Sequence, residues 1–89
     1  VRELYLEVTF RQGRALAAYL YLPRQSDEKS VRTVRVEPGM VIDFGRGGNP
    51  IGIEITAPSQ VSLETMNDVL HGLGLPPVSD ADLAPLLAA

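Results

Sequence analysis

Val31 to Thr56 reads VRTVRVEPGMVIDFGRGGNPIGIEIT. It holds three short β-type runs, Val31–Glu37, Met40–Phe44 and Ile51–Thr56, separated by Glu37-Pro38-Gly39 and by Gly45-Arg46-Gly47-Gly48-Asn49-Pro50. Pro and Gly punctuate a chain where a sheet must turn. Ile51, Ile53 and Ile55 alternate with Gly52, Glu54 and Thr56, the period of a strand with one buried face. Pro38 and Gly39 suit the middle of a type II turn. A two-residue loop there would pair Val36 with Val41, although Met40, Ile42 and Phe44 look like the core set. Either a bulge intervenes, or the continuous Met40-Val41-Ile42 marks a central strand buried on both faces.

Upstream, Leu4–Phe10 alternates, with Leu4, Leu6, Val8 and Phe10 on one face. Arg11-Gln12-Gly13-Arg14 is a turn, and Ala15–Leu22 a second strand. Leu16, Ala18, Leu20 and Leu22 face one way along it, Tyr19 and Tyr21 the other. These two strands form a hairpin. Arg24–Ser30 is a polar loop. After Pro58 the period changes: Leu63, Met66, Val69, Leu70 and Leu73 recur at helical spacing. The predicted helix spans 62–73, with Ser59 or Ser62 as N-cap, Glu64 at its positive end, and Gly72 or Gly74 to stop it. Leu75-Pro76-Pro77-Val78 is an extended linker. Ser79-Asp80-Ala81-Asp82 is a second N-cap signal, and Pro85 makes the tail after it irregular or a short helix. The expectation is an α+β domain over 1–74: a meander-like antiparallel sheet of about five strands, with one C-terminal helix on a face. A linker and tail follow over 75–89.

Eighty-nine residues make one small domain, which buries only about 60–65% of its unfolded surface. There is no cysteine, so no disulfide or thiolate chemistry. The longest apolar run is the eight residues Ala15–Leu22, far short of a membrane span. No signal-peptide pattern is visible, and a cytoplasmic location is the expectation. Up to Arg46 the chain carries eight basic and six acidic residues, +2; from Gly47 on it carries five acids and no Lys or Arg, −5. The negative net charge and the lack of a basic cluster speak against nucleic acid as a partner.

Three constellations are candidates for chemistry. Asp43 and Glu54 each stand in an otherwise apolar strand. The register that aligns Ile42 with Ile53 puts both on one face, with Arg35 and Tyr19 or Tyr21 able to share it. Two neighbouring carboxylates can bind a divalent cation or shift each other's pKa. The simpler account is a solvated face whose acids pair with arginine. Glu64, Asp68 and His71 share a helix face and could hold a metal, but they are also the polar side opposite the leucine stripe. Gly45–Asn49 offers backbone N–H groups as phosphate loops do, without Walker or dinucleotide spacing; a hairpin turn is the simpler account. With no cysteine nucleophile and no spaced Ser/His/Asp set, hydrolase chemistry is a poor fit.

Over roughly residues 8–59 the order of features resembles the small bacterial family called domain of unknown function 2283. The resemblance is carried by Ala17-Ala18-Tyr19-Leu20, Val36-Glu37-Pro38-Gly39, Val41-Ile42-Asp43-Phe44 and Gly52-Ile53-Glu54-Ile55. The first strand departs: members carry Asp where Arg11 stands, and acids where Gly13-Arg14 stand. The resemblance implies the sheet and a bacterial source, and it assigns no reaction. Some relatives sit beside genes for small toxin-like proteins, which implies an antitoxin-like role. Together these readings give a non-enzymatic interaction or structural module, a homodimer or partner subunit, needing no cofactor. Its candidate surface is Tyr19, Tyr21, Arg35, Asp43 and Glu54. The alternative is a small metal- or ligand-binding domain using Asp43 and Glu54; an enzyme is the least supported class. Three features point to the dimer: the small unstapled core, the tyrosines opposite the leucines of strand 2, and an apolar tail, Leu83–Leu87, able to cross to a neighbouring chain.

Overall fold

The computed structural model describes residues 4–23 and 28–87. Part of the loop expected over Arg24–Ser30 and the last two residues of the tail lie outside the described residues. Five strands, β1 (Tyr5–Arg11), β2 (Arg14–Tyr21), β3 (Arg32–Val36), β4 (Met40–Phe44) and β5 (Pro50–Ile55), precede a 3-10 turn (Pro58–Gln60) and two helices, α1 (Leu63–Gly72) and α2 (Asp80–Leu87). All strand pairs are antiparallel. The chain is α+β, with both helices C-terminal to the sheet.

The strand order is β1-β2-β5-β4-β3, so the sheet is not the simple meander expected. β5 inserts between the N-terminal hairpin and β4. Burial explains the exchange. Ile51, Ile53 and Ile55 are almost completely enclosed, and a central position gives their strand neighbours on both sides. β3, with Arg32 and Arg35, takes the edge, where charged side chains stay in water and discourage stray pairing.

Local chemistry sets each connection. β1 and β2 join through Gln12 and Gly13, both at positive φ, 54° and 77°, the backbone of a type I′ hairpin turn. Thr9 pairs with Ala17 but Phe10 with Ala15, leaving Leu16 as an extra residue in β2. That bulge corrects the expected faces: Leu16 and Phe10 are exposed, while Ala18, Leu20 and Leu22 are buried. Between β3 and β4 the loop has three residues, not two. Val36 therefore pairs with Met40, and the difficulty over the core set disappears. β4 has a partner on each side, yet it is buried mainly on one face, through Met40 and Ile42. Gly39 has φ 61°, follows a cis Glu37–Pro38 bond, and its carbonyl accepts from Thr56 N at 2.8 Å and Ala57 N at 3.3 Å. A Cβ there would fall 2.6 Å from the Ala57 Cβ, so this approach requires glycine.

α1 starts at Ser62, whose side chain accepts from Thr65 N at 3.1 Å. It stops at Gly74, φ 74°, where Leu75 N donates to Leu70 O at 2.9 Å and Gly74 N to His71 O at 3.0 Å, a Schellman arrangement. Its buried side is Met66 and Leu70, flanked by the half-buried Leu63, Val69 and Leu73. The Asn67 amide then clasps Val78, donating to its carbonyl at 3.0 Å and accepting from its N–H at 2.8 Å. This fixes the linker against α1.

The tail forms a second, short helix, one of the two forms expected of it. Ser79 and Asp82 cap it reciprocally: Asp82 Oδ2 accepts from Ser79 N at 2.9 Å, and Asp82 N donates to Ser79 Oγ at 3.3 Å. Pro85 lies inside α2 and leaves one carbonyl without its helical donor. Burial of Leu83 and Leu86 outweighs that loss. With Val78 they join the same core as Met66 and Ile53. The tail thus folds over its own sheet, which removes one of the three arguments for a dimer.

Candidate functional site

Both helices cover one face of the sheet; no described element covers the other. Strand alternation places Tyr5 and Glu7 of β1, Tyr19 and Tyr21 of β2, Gly52 and Glu54 of β5, Val41 and Asp43 of β4, and Thr33 and Arg35 of β3 there. The ladders arrange them in two cross-strand rows. One runs Glu7, Tyr19, Glu54, Val41, Arg35; its neighbour runs Tyr5, Tyr21, Gly52, Asp43, Thr33. All five candidates, Tyr19, Tyr21, Arg35, Asp43 and Glu54, therefore share this face. Ile42 pairs with Ile53, which makes Asp43 and Glu54 diagonal neighbours on adjacent strands.

Three tyrosines form a continuous aromatic patch. Tyr5 and Tyr21 stack with ring centroids 4.4 Å apart and planes 12° from parallel. Tyr19 meets Tyr21 edge to face at 4.7 Å and 63°. Tyr19 lies across Gly52, and its hydroxyl donates to Asp43 Oδ2 at 2.6 Å. A Cβ on Gly52 would overlap the Tyr19 hydroxyl and ring, so the glycine opens the path between β2 and β4. The Tyr21 hydroxyl donates to Glu7 Oε1 at 3.3 Å. Partial burial lifts the Tyr21 hydroxyl above its ordinary phenol value, and the neighbouring Glu7 carboxylate and Tyr5 push the same way.

Among the described residues, the pairing of these acids with arginine does not form. Arg35 stands on the edge strand, two strands from Glu54, and no ion pair joins their side chains. Asp43 has a tyrosine as its partner instead. A hollow of about 180 Å³ lies beside Tyr19, bounded by Glu7, Thr9, Ala17 and Glu54. A second, of about 390 Å³, runs from Arg35 to Gln60 past Gly39.

The other constellations do not assemble. Among the described residues no three or more His, Cys, Asp or Glu side chains come together to hold a metal. Glu64, Asp68 and His71 are exposed on α1, away from the open sheet face. In the Gly45–Asn49 segment the backbone is used internally: Gly45 N donates to Asn49 O at 2.8 Å and Gly48 N to Gly45 O at 3.0 Å. It is a hairpin turn. Glu7, Tyr5 and Gly52 were missed as members of the face. The signal for the first two was present, since Tyr5, Glu7 and Thr9 alternate with the apolar set of β1. Gly52 is recognisable only once Tyr19 is seen above it.

The fold and its open face define a small two-layer α+β domain with an aromatic and acidic sheet surface. The family described as Protein of unknown function (DUF2283) matches residues 17–59, from within β2 to within the 3-10 turn. The match contains Tyr19, Tyr21, Arg35, Asp43, Gly52 and Glu54, and excludes both helices. No curated protein and no solved structure matches the chain. No helix among the described residues is long and apolar enough to cross a membrane.

Proposed function

We propose that this protein is a non-enzymatic interaction module that self-associates through the open face of its sheet. The observation that carries this reading is the contiguous patch of Tyr5, Tyr19 and Tyr21 on a face that no described element covers. Tyrosine offers large contact area with few rotatable bonds and is enriched where proteins meet. A second copy would add apolar burial to a core that is small and has no staple. A bacterial, cytoplasmic setting belongs to the same reading, and an antitoxin-like partner subunit is its variant. Light scattering at micromolar concentration tests it. A mass of two 9.6 kDa chains is expected, falling to one in Tyr21→Asp with an unchanged circular dichroism spectrum. A parent that stays at the mass of one chain up to hundreds of micromolar overturns self-association.

A metal- or ligand-binding domain built on Asp43 and Glu54 is the second reading, and their diagonal placement favours it. Against it, Asp43 is engaged by the Tyr19 hydroxyl, and no third carboxylate or imidazole among the described residues completes a set. Calorimetric titration with calcium, magnesium and manganese is expected to give no binding heat. Micromolar binding that disappears in Asp43→Asn would favour the metal site.

A further inference from the structure

We infer that two copies pack open face to open face about a twofold axis parallel to β5, so that Glu7 of one chain pairs with Arg35 of the second copy. The inference rests on the self-association proposed above and specifies its geometry.

The argument lies in the order of charges across the sheet. One cross-strand row reads Glu7, Tyr19, Glu54, Val41, Arg35 from edge to edge, with β5 in the middle. Its ends carry opposite charges. Two twofold axes in the plane of a face-to-face contact are possible for such a sheet. An axis perpendicular to the strands lays β1 on β1 and β3 on β3, acid on acid and arginine on arginine. An axis along β5 turns the sheet over about its centre. It lays β1 on β3 and β2 on β4, while each row still meets itself. Glu7 then faces Arg35 at both ends of the contact, and Tyr19 faces Val41 between them. In the neighbouring row Tyr21 faces Asp43. Like charges across an interface oppose the first arrangement, and complementary ones select the second.

The exposed side chains at the two ends are available for this. Glu7 and Arg35 are both exposed, and Arg35 has no ion-pair partner among the described residues. Aligned sheets pack about 10 Å apart, within reach of glutamate and arginine side chains extended from opposite faces. The cost is at the centre, where Glu54 meets its own copy on the axis. Two carboxylates placed together repel. Combined with the small area of a five-stranded face, this makes the dimer a weak one.

The geometry is testable because Glu7 and Arg35 stand on the first and fifth strands of one sheet, about 19 Å apart at the usual strand spacing. At that distance they cannot couple within a chain, so any coupling between them reports contact between chains. Sedimentation equilibrium on Glu7→Arg, Arg35→Glu and the double reversal forms a complete cycle. Each single reversal is expected to weaken the dimer about three- to tenfold, because each twofold dimer contains the pair twice. The double reversal should return to within about twofold of the parent. Glu54→Gln should tighten it several-fold by removing the repulsion on the axis. A parent dimer whose affinity is unmoved by the single reversals, or for which the two reversals simply add, overturns this packing while leaving self-association standing. A parent that never dimerises overturns both.

Discussion

The two faces of this sheet are built from the same strands, yet they are held together by different physics. Under the helices, Leu20, Met40, Ile53 and Ile55 meet Met66, Leu70 and Leu83, all of them 0–1% exposed. No polar or charged residue among those described is buried there, and stability comes from area removed from water. On the open face, order comes from direction: a tyrosine stack, an edge-to-face contact and one short hydrogen bond from Tyr19 to Asp43. Area is indifferent to small shifts of geometry, whereas a hydrogen bond across a glycine is not. The difference between the faces teaches where substitutions destabilise the fold and where they change only the surface.

The sharpest break is expected on the covered face. Met66 is fully enclosed, and Met66→Asp places an unpaired carboxylate among hydrocarbon, at a cost of about 3–5 kcal/mol. Thermal unfolding should show a collapse of the melting temperature; a variant melting within a degree or two of the parent would contradict the packing of α1. The open face should respond less. Gly52→Ala drives a methyl group into the Tyr19 ring, but that ring is the far end of a flexible side chain and can swing aside. The expected loss is about 1 kcal/mol, the worth of the hydrogen bond to Asp43. Combining Gly52→Ala with Tyr19→Phe tests this, because the second change should then cost almost nothing.

The smallest effect concerns pH. Tyr21 holds its proton more tightly in the folded chain than in the unfolded one, through burial first and Glu7 second. Its contribution is therefore present throughout the range below the ordinary phenol value of about 10, and it is lost as pH rises through the higher folded value. Denaturant titrations of the parent and of Tyr21→Phe should run parallel below pH 10. Above it the parent should lose stability more steeply. Curves that stay parallel to pH 11.5 would show that Tyr21 does not sense the fold.

Much of the fold is legible in the sequence because it is local. β4 runs from Met40 to Phe44 as alternation and the flanking glycines predict, and the Ile42–Ile53 register follows from matching two apolar faces. The α1 stripe and the Ser62 cap are written in adjacent residues in the same way. The features that differ depend on distant partners or on one-residue changes in count. The position of β5 beside β2 is decided by which strand has most to bury. The Leu16 bulge and the three-residue loop at Pro38 each change pairing by one residue, which alternation cannot register. Of the two forms open to the tail, irregular or a short helix, burial of Leu83 and Leu86 selects the helix. On the open face, the shared orientation of Asp43 and Glu54 could be read from period alone. The Tyr19 hydrogen bond to Asp43 could not, because it crosses an intervening strand and needs a glycine beneath it.

The place of β5 also sets the order in which the sheet can assemble. β1 with β2, and β3 with β4 and β5, are two units whose partners lie close in the chain. The β2–β5 ladder alone joins them, pairing Tyr21 with Gly52 and Ala18 with Ile55. During synthesis the first hairpin emerges complete but with its inner edge unpaired, and it stays so until the chain has grown past Ile55. Closing that one long loop carries the entropy cost that local hairpins avoid, so the speed of folding is governed by a single ladder in the middle of the sheet rather than by either of the units it unites.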